Sequence, residues 1–238
     1  MYCTIQYVVY TAMQGLFVDS PPAMSDPTAN RKIQSRGEAR RRAMVEAAWQ
    51  VLQDKGCEAA TLSDIIALSG GSRATLYEAF GGKDGLIEAA VAERCSAFGE
   101  SMQLVLDERN DPRSVLETLA LAFLTRVTAP ESTRTLGIFV AEGSRFPHII
   151  ETFLRHGPRA LSSRIAGYLA SATRAGQLQV DEPELAADLF LSMLQGQWLL
   201  RIMSHIEAPP AADVLRERAT LAVSIFLDGL KERSLCER

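Results

Sequence analysis

The segment Thr61–Phe80 constrains the fold more than any other part of this 238-residue chain. Two short runs with apolar residues at helical spacing lie on either side of the pair Gly70-Gly71. Glycine adopts the positive φ values that end one helix and turn the chain before the next. The segment therefore predicts two short helices joined by a tight turn, which is the arrangement of a helix-turn-helix.

Residues that cap helices stand at the start of both predicted helices. Thr61 and Asp64 have the Thr-x-x-Asp spacing of a capping box, in which each side chain binds the other residue's backbone N–H. Ser72 offers the same hydroxyl chemistry at the start of the second helix. The apolar face predicted for the first helix consists of Leu62, Ile65, Ile66 and Leu68. These signals fix where each short helix begins and which side it buries.

In the second short helix, Leu76 and Phe80 are four residues apart and are predicted to point into the core. The side chains left for the outer surface are Arg73, Ala74, Thr75, Tyr77 and Glu78. A helix that begins with small and hydrogen-bonding side chains suits the major groove of DNA, which is about 12 Å wide. The pattern therefore favours a protein that reads DNA.

The region from about residue 38 to residue 98 resembles the DNA-binding domain of the Tet repressor (TetR) family of bacterial transcription regulators. Its most family-like piece is Thr75–Lys83. The other matching residues are Val45, Ala48, Leu52, Gly56, Thr61, Ile65, Ile66, Ser72 and Leu86. The resemblance implies phosphate contacts by Thr61, Thr75, Tyr77 and Lys83, and base-edge contacts by Arg73 and Ala74. With the cap Ser72, these residues form the predicted DNA-binding set.

The chemistry of the two base-edge positions agrees with that implication. An arginine such as Arg73 can bind O6 and N7 of guanine with two hydrogen bonds, and the methyl group of Ala74 can contact a thymine methyl. Two alternatives stay open at this point. Tyr77 can be a half-buried packing residue, and Arg73 can make a phosphate contact that carries no sequence information.

Charge is distributed unevenly along the chain. Residues 31–83 carry nine Lys and Arg against six Asp and Glu, although the whole chain has a net charge of −4. Positive charge beside a helix-turn-helix is where DNA phosphates would lie. The basic segment Arg31–Arg42 is predicted to be an arm before the first helix. It is either a solvated tail or a segment that follows the DNA backbone or enters the minor groove.

The first 30 residues contain no Lys or Arg. The stretch Tyr2–Val18 lacks the positive region of a signal peptide and is too polar for a membrane span, so no membrane partner is expected. We hypothesise that Met24 is the natural start and that residues 1–23 are a mis-assigned extension or a mobile tail. The predicted domains are then an extension and arm (1–35), a DNA-binding domain (36–98) and a larger second domain (99–238).

Helical signals continue to the end of the chain, and no stretch combines strand alternation with hairpin turns. Prolines and glycines mark the predicted boundaries. The predicted helices cover about 38–55, 83–108, 112–127, 130–143, 147–153, 157–176, 183–206 and a last helix ending at 230. The sequence therefore predicts an all-α fold.

The last two long helices are apolar on more than one side. The first of them has one face consisting of Ala186, Leu189, Phe190, Met193, Leu194, Gln197, Trp198 and Arg201, and further leucines lie elsewhere around it. Such a helix buries more than one side. Packing within one chain explains this in part, and packing against a twin subunit explains it better. The family resemblance also implies a homodimer formed through the last two long helices.

The second domain resembles the C-terminal domain of the AefR-like branch of these regulators. The matching pieces are Phe139–Pro147 and Gly157-Pro158. The resemblance implies a small-molecule effector bound in this domain. The residues predicted to line its pocket are Phe123, Phe139, Phe153, Tyr168, Phe190 and Trp198, with core packing as the alternative role for each. Glu142 and Arg145, three residues apart, are expected to pair with each other.

No catalytic, metal or cofactor motif is present in the sequence. The histidines His148, His156 and His205 lack metal-ligand spacing, and the four scattered cysteines predict reduced thiols rather than a disulfide framework. We therefore expect no enzyme and no cofactor, but a cytoplasmic, ligand-responsive repressor that binds an inverted-repeat operator as a dimer. The alternatives are a helical small-molecule-binding protein with a degenerate DNA-binding head, and a ligand-blind architectural DNA binder.

Overall fold

The computed structural model describes residues 29–106 and 110–236, and it describes side chains for residues 37–106 and 110–230. Within these ranges every regular element is helical, which confirms the all-α prediction. None of the described helices is both long and apolar enough to span a bilayer. The hypothesis about residues 1–23 and Met24 lies outside the described residues.

The described chain divides into two compact units. The first unit contains the residues up to Cys95 together with Val140–Phe153, and the second contains Ser96–Phe139 and the residues from Leu154 onward. The helices are α1 (Ala29–Ala59), α2 (Leu62–Ser69), α3 (Arg73–Phe80), α4 (Lys83–Gln103), α5 (Pro112–Val127), α6 (Pro130–Glu142), α7 (Pro147–Leu154), α8 (Ala160–Arg174), α9 (Pro183–Met203) and α10 (Ala212–Cys236). Helices α4 and α6 contribute residues to both units.

The first unit is built on the buried side of α1. The residues of this side that the sequence predicted are Val45, Ala48, Trp49 and Leu52, and each is at most 9% exposed. Ile65 of α2 and Leu76 of α3 are fully buried. Burial of one apolar stripe per helix is the main stabilisation of such a bundle. The helix-turn-helix is therefore fixed to α1 by its inner faces, which leaves its outer face available.

Two boundaries and one buried face in helices α1, α2 and α4 differ from the predictions. Helix α1 begins at Ala29, so the basic segment predicted as an arm is helical. Helix α4 ends at Gln103 rather than near residue 108. Leu68 was assigned to the buried face, but it is 54% exposed. It lies in the last turn of α2, next to the exposed turn formed by Gly70 and Gly71, where its side chain remains in contact with water.

Prolines begin α5, α6 and α9, as predicted. Asp111 caps α5 by accepting a hydrogen bond from the Ser114 N–H over 3.1 Å, and Pro112 follows at the first helical position. Helices α8 and α9 pack against each other, as do α5 and α10. The fully buried large side chains of the second unit include Leu116, Leu119, Leu124, Ile165 and Phe190.

The predicted helix start at Gly157-Pro158 is wrong. The chain stays helical from α7 into α8 through a π-helical segment, Arg155–Arg159, which contains Pro158. Proline cannot donate the hydrogen bond that an α-helix needs in its interior. A π turn changes the hydrogen-bond register locally, so the proline is accommodated without ending the helix.

Helix α9 is broken at Gly196, where φ is 50° and ψ is −160°. The sequence predicted an uninterrupted helix here. Arg218 of α10 occupies the break: its Nε donates to the Leu194 carbonyl over 2.9 Å and its Nη2 to the Met193 carbonyl over 3.4 Å. The guanidinium also stacks on the Trp198 ring at 5.0 Å. Carbonyls without an intrahelical partner need other donors, and one guanidinium supplies them.

Candidate nucleic-acid interface

The turn between α2 and α3 has the local geometry that the sequence predicted. The Asp64 N–H donates to Thr61 Oγ1 and the Thr61 N–H donates to Asp64 Oδ2, both over 3.2 Å, so the capping box is confirmed. Gly70 and Gly71 have φ values of 68° and 98°. Lys55 lies 2.8 Å from Asp64, and this pairing, with the bonds from Thr61, lowers the pKa of Asp64.

Helix α3 presents the predicted residues on its outer face. Ser72 caps the helix by accepting a hydrogen bond from the Thr75 N–H over 3.2 Å. Arg73 and Ala74 are exposed at its first turn, and Tyr77 is 53% exposed. Because the inner residue Leu76 is fully buried, the rotation of α3 about its axis is fixed.

Two of the predicted DNA contacts have partners within the first unit. Arg73 Nη2 donates to Ser63 Oγ over 2.9 Å, which bridges α3 to α2. Lys83 Nζ donates to the Cys57 carbonyl over 3.0 Å and lies 5.8 Å from the centre of the Phe146 ring. A guanidinium has five N–H donors and an ammonium three, so both side chains retain donors for a phosphate or a base.

Exposed positive charge continues from α3 onto α1. Arg40, Arg41 and Arg42 are all exposed, and Arg41 stacks on the Phe80 ring at 5.1 Å. Such cation–π contacts hold the guanidinium in place while its edge stays in water. The first unit therefore carries a basic surface near an exposed helix, which suits a polyanion.

Helix α1 is broken at Gly56, where φ is 78°. The break frees the N–H groups of Cys57 and Glu58, and both donate to Glu142 Oε2, over 2.8 Å and 3.0 Å. A Cβ atom at position 56 would lie 2.3 Å from Glu142 Oε1, so the glycine makes room for the carboxylate. A negative charge at freed N–H groups is favourable for the same reason as at a helix N-terminus.

Arg145 adds an ion pair to this arrangement. Its guanidinium binds both carboxylate oxygens of Glu58. The expected pairing between Glu142 and Arg145 is therefore wrong, because each side chain binds the residues that follow Gly56 instead. We call the contacts of Glu142 and Arg145 with residues 56–58 the Glu142 clasp.

The Cys57 thiol lies inside the clasp and is 2% exposed. Burial raises its pKa to about 12, and the negative charge of Glu142 and a hydrogen bond with that carboxylate add to the effect. Only the thiolate reacts readily with oxidants and electrophiles. The environment of Cys57 therefore counts against a redox-sensing role at this position.

The residues predicted to line an effector pocket divide between the units. Phe153 belongs to the first unit and the other five belong to the second. Phe123 contacts Phe98 with ring centres 6.4 Å apart, and Phe190 contacts Phe226 at 4.9 Å. Trp198 stacks on Arg218, and Phe139 and Tyr168 are buried. The five residues of the second unit thus take part in packing.

Sequence reasoning missed the clasp. Gly56 signalled only that a helix ends, because a glycine does not indicate which side chain binds the groups it frees. The partner Glu142 is 85 residues from Cys57. Neither helical spacing nor composition relates residues at such a separation.

Two family models match the chain. The first, described as bacterial regulatory proteins of the tetR family, matches residues 44–90. The second, described as the AefR-like transcriptional repressor C-terminal domain, matches residues 114–229. Together they span about two thirds of the chain.

Individual proteins agree with the family models. The HTH-type transcriptional regulator BetI of Rhizobium meliloti is 25% identical over 161 residues, which are 67% of this chain and 76% of BetI. The structure of a TetR-family regulator from Mesorhizobium loti has a TM-score of 0.75 and 22% identity, covering 81% of this chain and 97% of that one. The flavonoid-responsive regulator FrrA has a TM-score of 0.69 and 26% identity, with the same coverage of both chains.

Proposed function

We propose that this chain, which belongs to the TetR family of DNA-binding transcriptional regulators, is a homodimeric repressor that releases its operator when a small molecule binds. The observation that carries the proposal is the exposed face of α3. Arg73, Ala74 and Tyr77 lie on this face beside the basic surface of α1. In a helix-turn-helix, the first residues of the second helix contact base edges in the major groove.

Exposed apolar side chains on α9 and α10 support the homodimer. The large apolar residues exposed on these two helices are Leu185, Leu189, Leu200, Val214, Leu221 and Ile225, at 46% to 62% exposure. Apolar side chains in such number at one pair of helices are typical of an interface between subunits. A two-fold dimer requires that the same surface serve both subunits.

A dimer of this kind presents α3 twice. We expect an operator with two inverted half-sites whose centres are about 34–36 Å apart, or a multiple of that distance. Repression needs only that the bound dimer occupy the promoter, so it requires no additional surface for the polymerase.

The response to a small molecule is supported by the second unit. The name of the similar regulator FrrA states that it responds to flavonoids, and the matching C-terminal model is described as that of a repressor. An effector releases the operator if it binds more tightly to the conformation in which the two α3 helices of the dimer do not fit the DNA. In this proposal, α6 carries the change to the first unit because Glu142, its last residue, belongs to the clasp.

The test begins with selection of genomic fragments that the purified protein binds. Anisotropy titrations with duplexes carrying single base changes then compare Arg73→Ala with Lys83→Ala. We expect Arg73→Ala to reduce the free energy of operator binding by about 1–3 kcal/mol and to relax the sequence preference at one base position. Lys83→Ala should weaken binding to all sequences alike. It should also reduce the slope of log binding constant against log salt concentration by about 1.

Arg174→Ala provides the matched control, since it removes the same charge from an exposed position on α8. It should leave affinity and sequence preference unchanged. If Arg73→Ala weakens every duplex equally, Arg73 does not read a base. If the protein selects no fragment, the proposed function is wrong and the chain is instead a small-molecule-binding bundle with a degenerate head.

A further inference from the structure

Arg164 of α8 places part of a positive charge in the interior of the second unit. Its Nη1 atom is buried and has no hydrogen-bond partner. None of the ion pairs found in the described part of this unit includes Arg164. Buried charged groups are normally paired and fully hydrogen-bonded, because transfer from water is costly. Arg164 as a whole is half-buried, and its buried Nη1 lacks the acceptor that its position calls for.

Gly99 of α4 makes room for this guanidinium. A Cβ atom at Gly99 would lie 2.1 Å from Nη1 of Arg164 and 3.1 Å from its Cζ. The backbone of Gly99 is helical and does not have the positive φ that would require glycine. Glycine weakens a helix interior relative to alanine. The space for the Arg164 side chain is therefore the reason that the structure offers for glycine at this position.

Aromatic residues lie next to Gly99 and Arg164 in the sequence. Phe98 precedes Gly99, and its ring contacts Phe123 at 6.4 Å. Tyr168 follows Arg164 by one helical turn on α8 and is 4% exposed. Phe123 and Tyr168 are two of the residues that the sequence predicted for an effector pocket. A cation with an aromatic side chain one helical turn away suits a ligand with an apolar body and a single negative group.

We propose that Arg164 is the anion-recognition residue of the effector site, and that the effector is an organic monocarboxylate with an apolar body. The planar guanidinium can bind both oxygens of a carboxylate with parallel hydrogen bonds. The carboxylate supplies the missing acceptor for Nη1 and neutralises the buried charge. This inference deepens the proposed function and rests on it, because it assigns the chemistry of the releasing molecule.

The experiment measures the melting temperature of the full-length protein without DNA. The probes are hexanoate, decanoate, tetradecanoate and benzoate, each compared with its uncharged primary amide. We expect at least one carboxylate to raise the melting temperature and to bind about tenfold or more tightly than its amide. Arg164→Met should abolish the difference between acid and amide. Arg164→Lys should retain only part of it, because an ammonium lacks the planar fork.

A ligand-free readout separates this role from a structural one. Replacing an unpaired buried charge by a methionine of similar length should raise the melting temperature by about 2–4 °C or leave it unchanged. If Arg164 only holds the fold together, the same change lowers the melting temperature. Arg155→Met, at an exposed position before α8, is the matched control and should leave carboxylate binding intact.

Three results would overturn the proposal: no carboxylate raises the melting temperature, amides bind as well as acids, or Arg164→Met keeps the preference for acids. Operator binding distinguishes this failure from that of the proposed function. Arg164→Met should bind a selected operator fragment as tightly as the unmodified protein, and the active carboxylate should no longer release it. Loss of carboxylate binding with intact operator binding thus concerns Arg164 alone.

Discussion

Two of the described helices are broken at a glycine, and the breaks are closed by opposite charges. At Gly56 of α1 the freed groups are N–H donors, and the carboxylate of Glu142 accepts from two of them. At Gly196 of α9 the groups that need partners are carbonyls, and the guanidinium of Arg218 donates to two of them. Each side chain has the charge that the exposed end of a helix favours.

The difference lies in where each closing side chain comes from. Arg218 is 24 residues from Leu194, and both belong to the second unit. Glu142 is 85 residues from Cys57 and ends α6, whose earlier residues belong to the second unit. Each break is therefore closed within one unit, but the break in α1 is closed by the last residue of a helix that begins in the second unit. Of the two breaks, the one at Gly56 lies in the unit that contains α3.

Gly56→Ala should have the largest effect. Alanine at a φ of 78° costs about 1–2 kcal/mol, and its Cβ would displace the Glu142 carboxylate from two N–H groups, which costs about 1.5–3 kcal/mol more. Urea unfolding of the full-length protein measures the loss. Gly37→Ala is the matched control on the same helix, because nothing lies within 4 Å of that site. Equal stability of the two variants would show that the clasp contributes nothing.

Arg218→Leu should have the next largest effect. It removes the donors to the Leu194 and Met193 carbonyls, so we expect a loss of about 1–3 kcal/mol in the free energy of unfolding. Arg216→Leu, at an exposed position on the same helix, should change stability by less than about 0.5 kcal/mol. If Arg218→Leu is no worse than this control, the break in α9 does not depend on the guanidinium.

Glu142→Gln should have a smaller effect, because the amide oxygen can still accept from both N–H groups. Only the charge is lost, which is worth about 0.3–1 kcal/mol at freed N–H groups. Since the negative charge of Glu142 helps to raise the pKa of Cys57, the variant should also lower that pKa. The pH dependence of Cys57 alkylation, followed by peptide mass spectrometry, measures the shift. An unchanged alkylation profile would contradict the geometry of the clasp.

The pH dependence of stability comes last, because this effect is present only above pH 9. The pKa of Cys57 rises from 9.0 to about 12 in the folded protein, so its folded form keeps the proton at pH values where the unfolded form has lost it. Stability contributed by the neutral thiol is therefore present below pH 9 and is lost progressively between pH 9 and about 12. Cys57→Ala should remove this part of the decline in urea midpoints. An identical decline in both proteins would refute the assignment.

Local signals in the sequence predicted the first unit well. The capping box of Thr61, the glycine turn and the buried Leu76 depend on residues within four positions of each other, and the structure confirms all three. Proline at the first helical position likewise located the starts of α5 and α9. What the sequence could not predict was long-range pairing. The partners of Gly56, Gly99 and Gly196 are fixed by packing, and each of these glycines alone indicates only missing side-chain volume.

The central claim is that the exposed face of α3 reads DNA, twice in each assembly. Analytical ultracentrifugation of the purified protein with a fluorescent duplex from the genomic selection tests this most directly. We predict one dimer on each inverted-repeat duplex. Binding should weaken as salt rises, and the slope of log binding constant against log salt concentration should be about −0.9 for each phosphate neutralised. A protein that sediments as a single chain and leaves the duplex free at low salt would contradict the account.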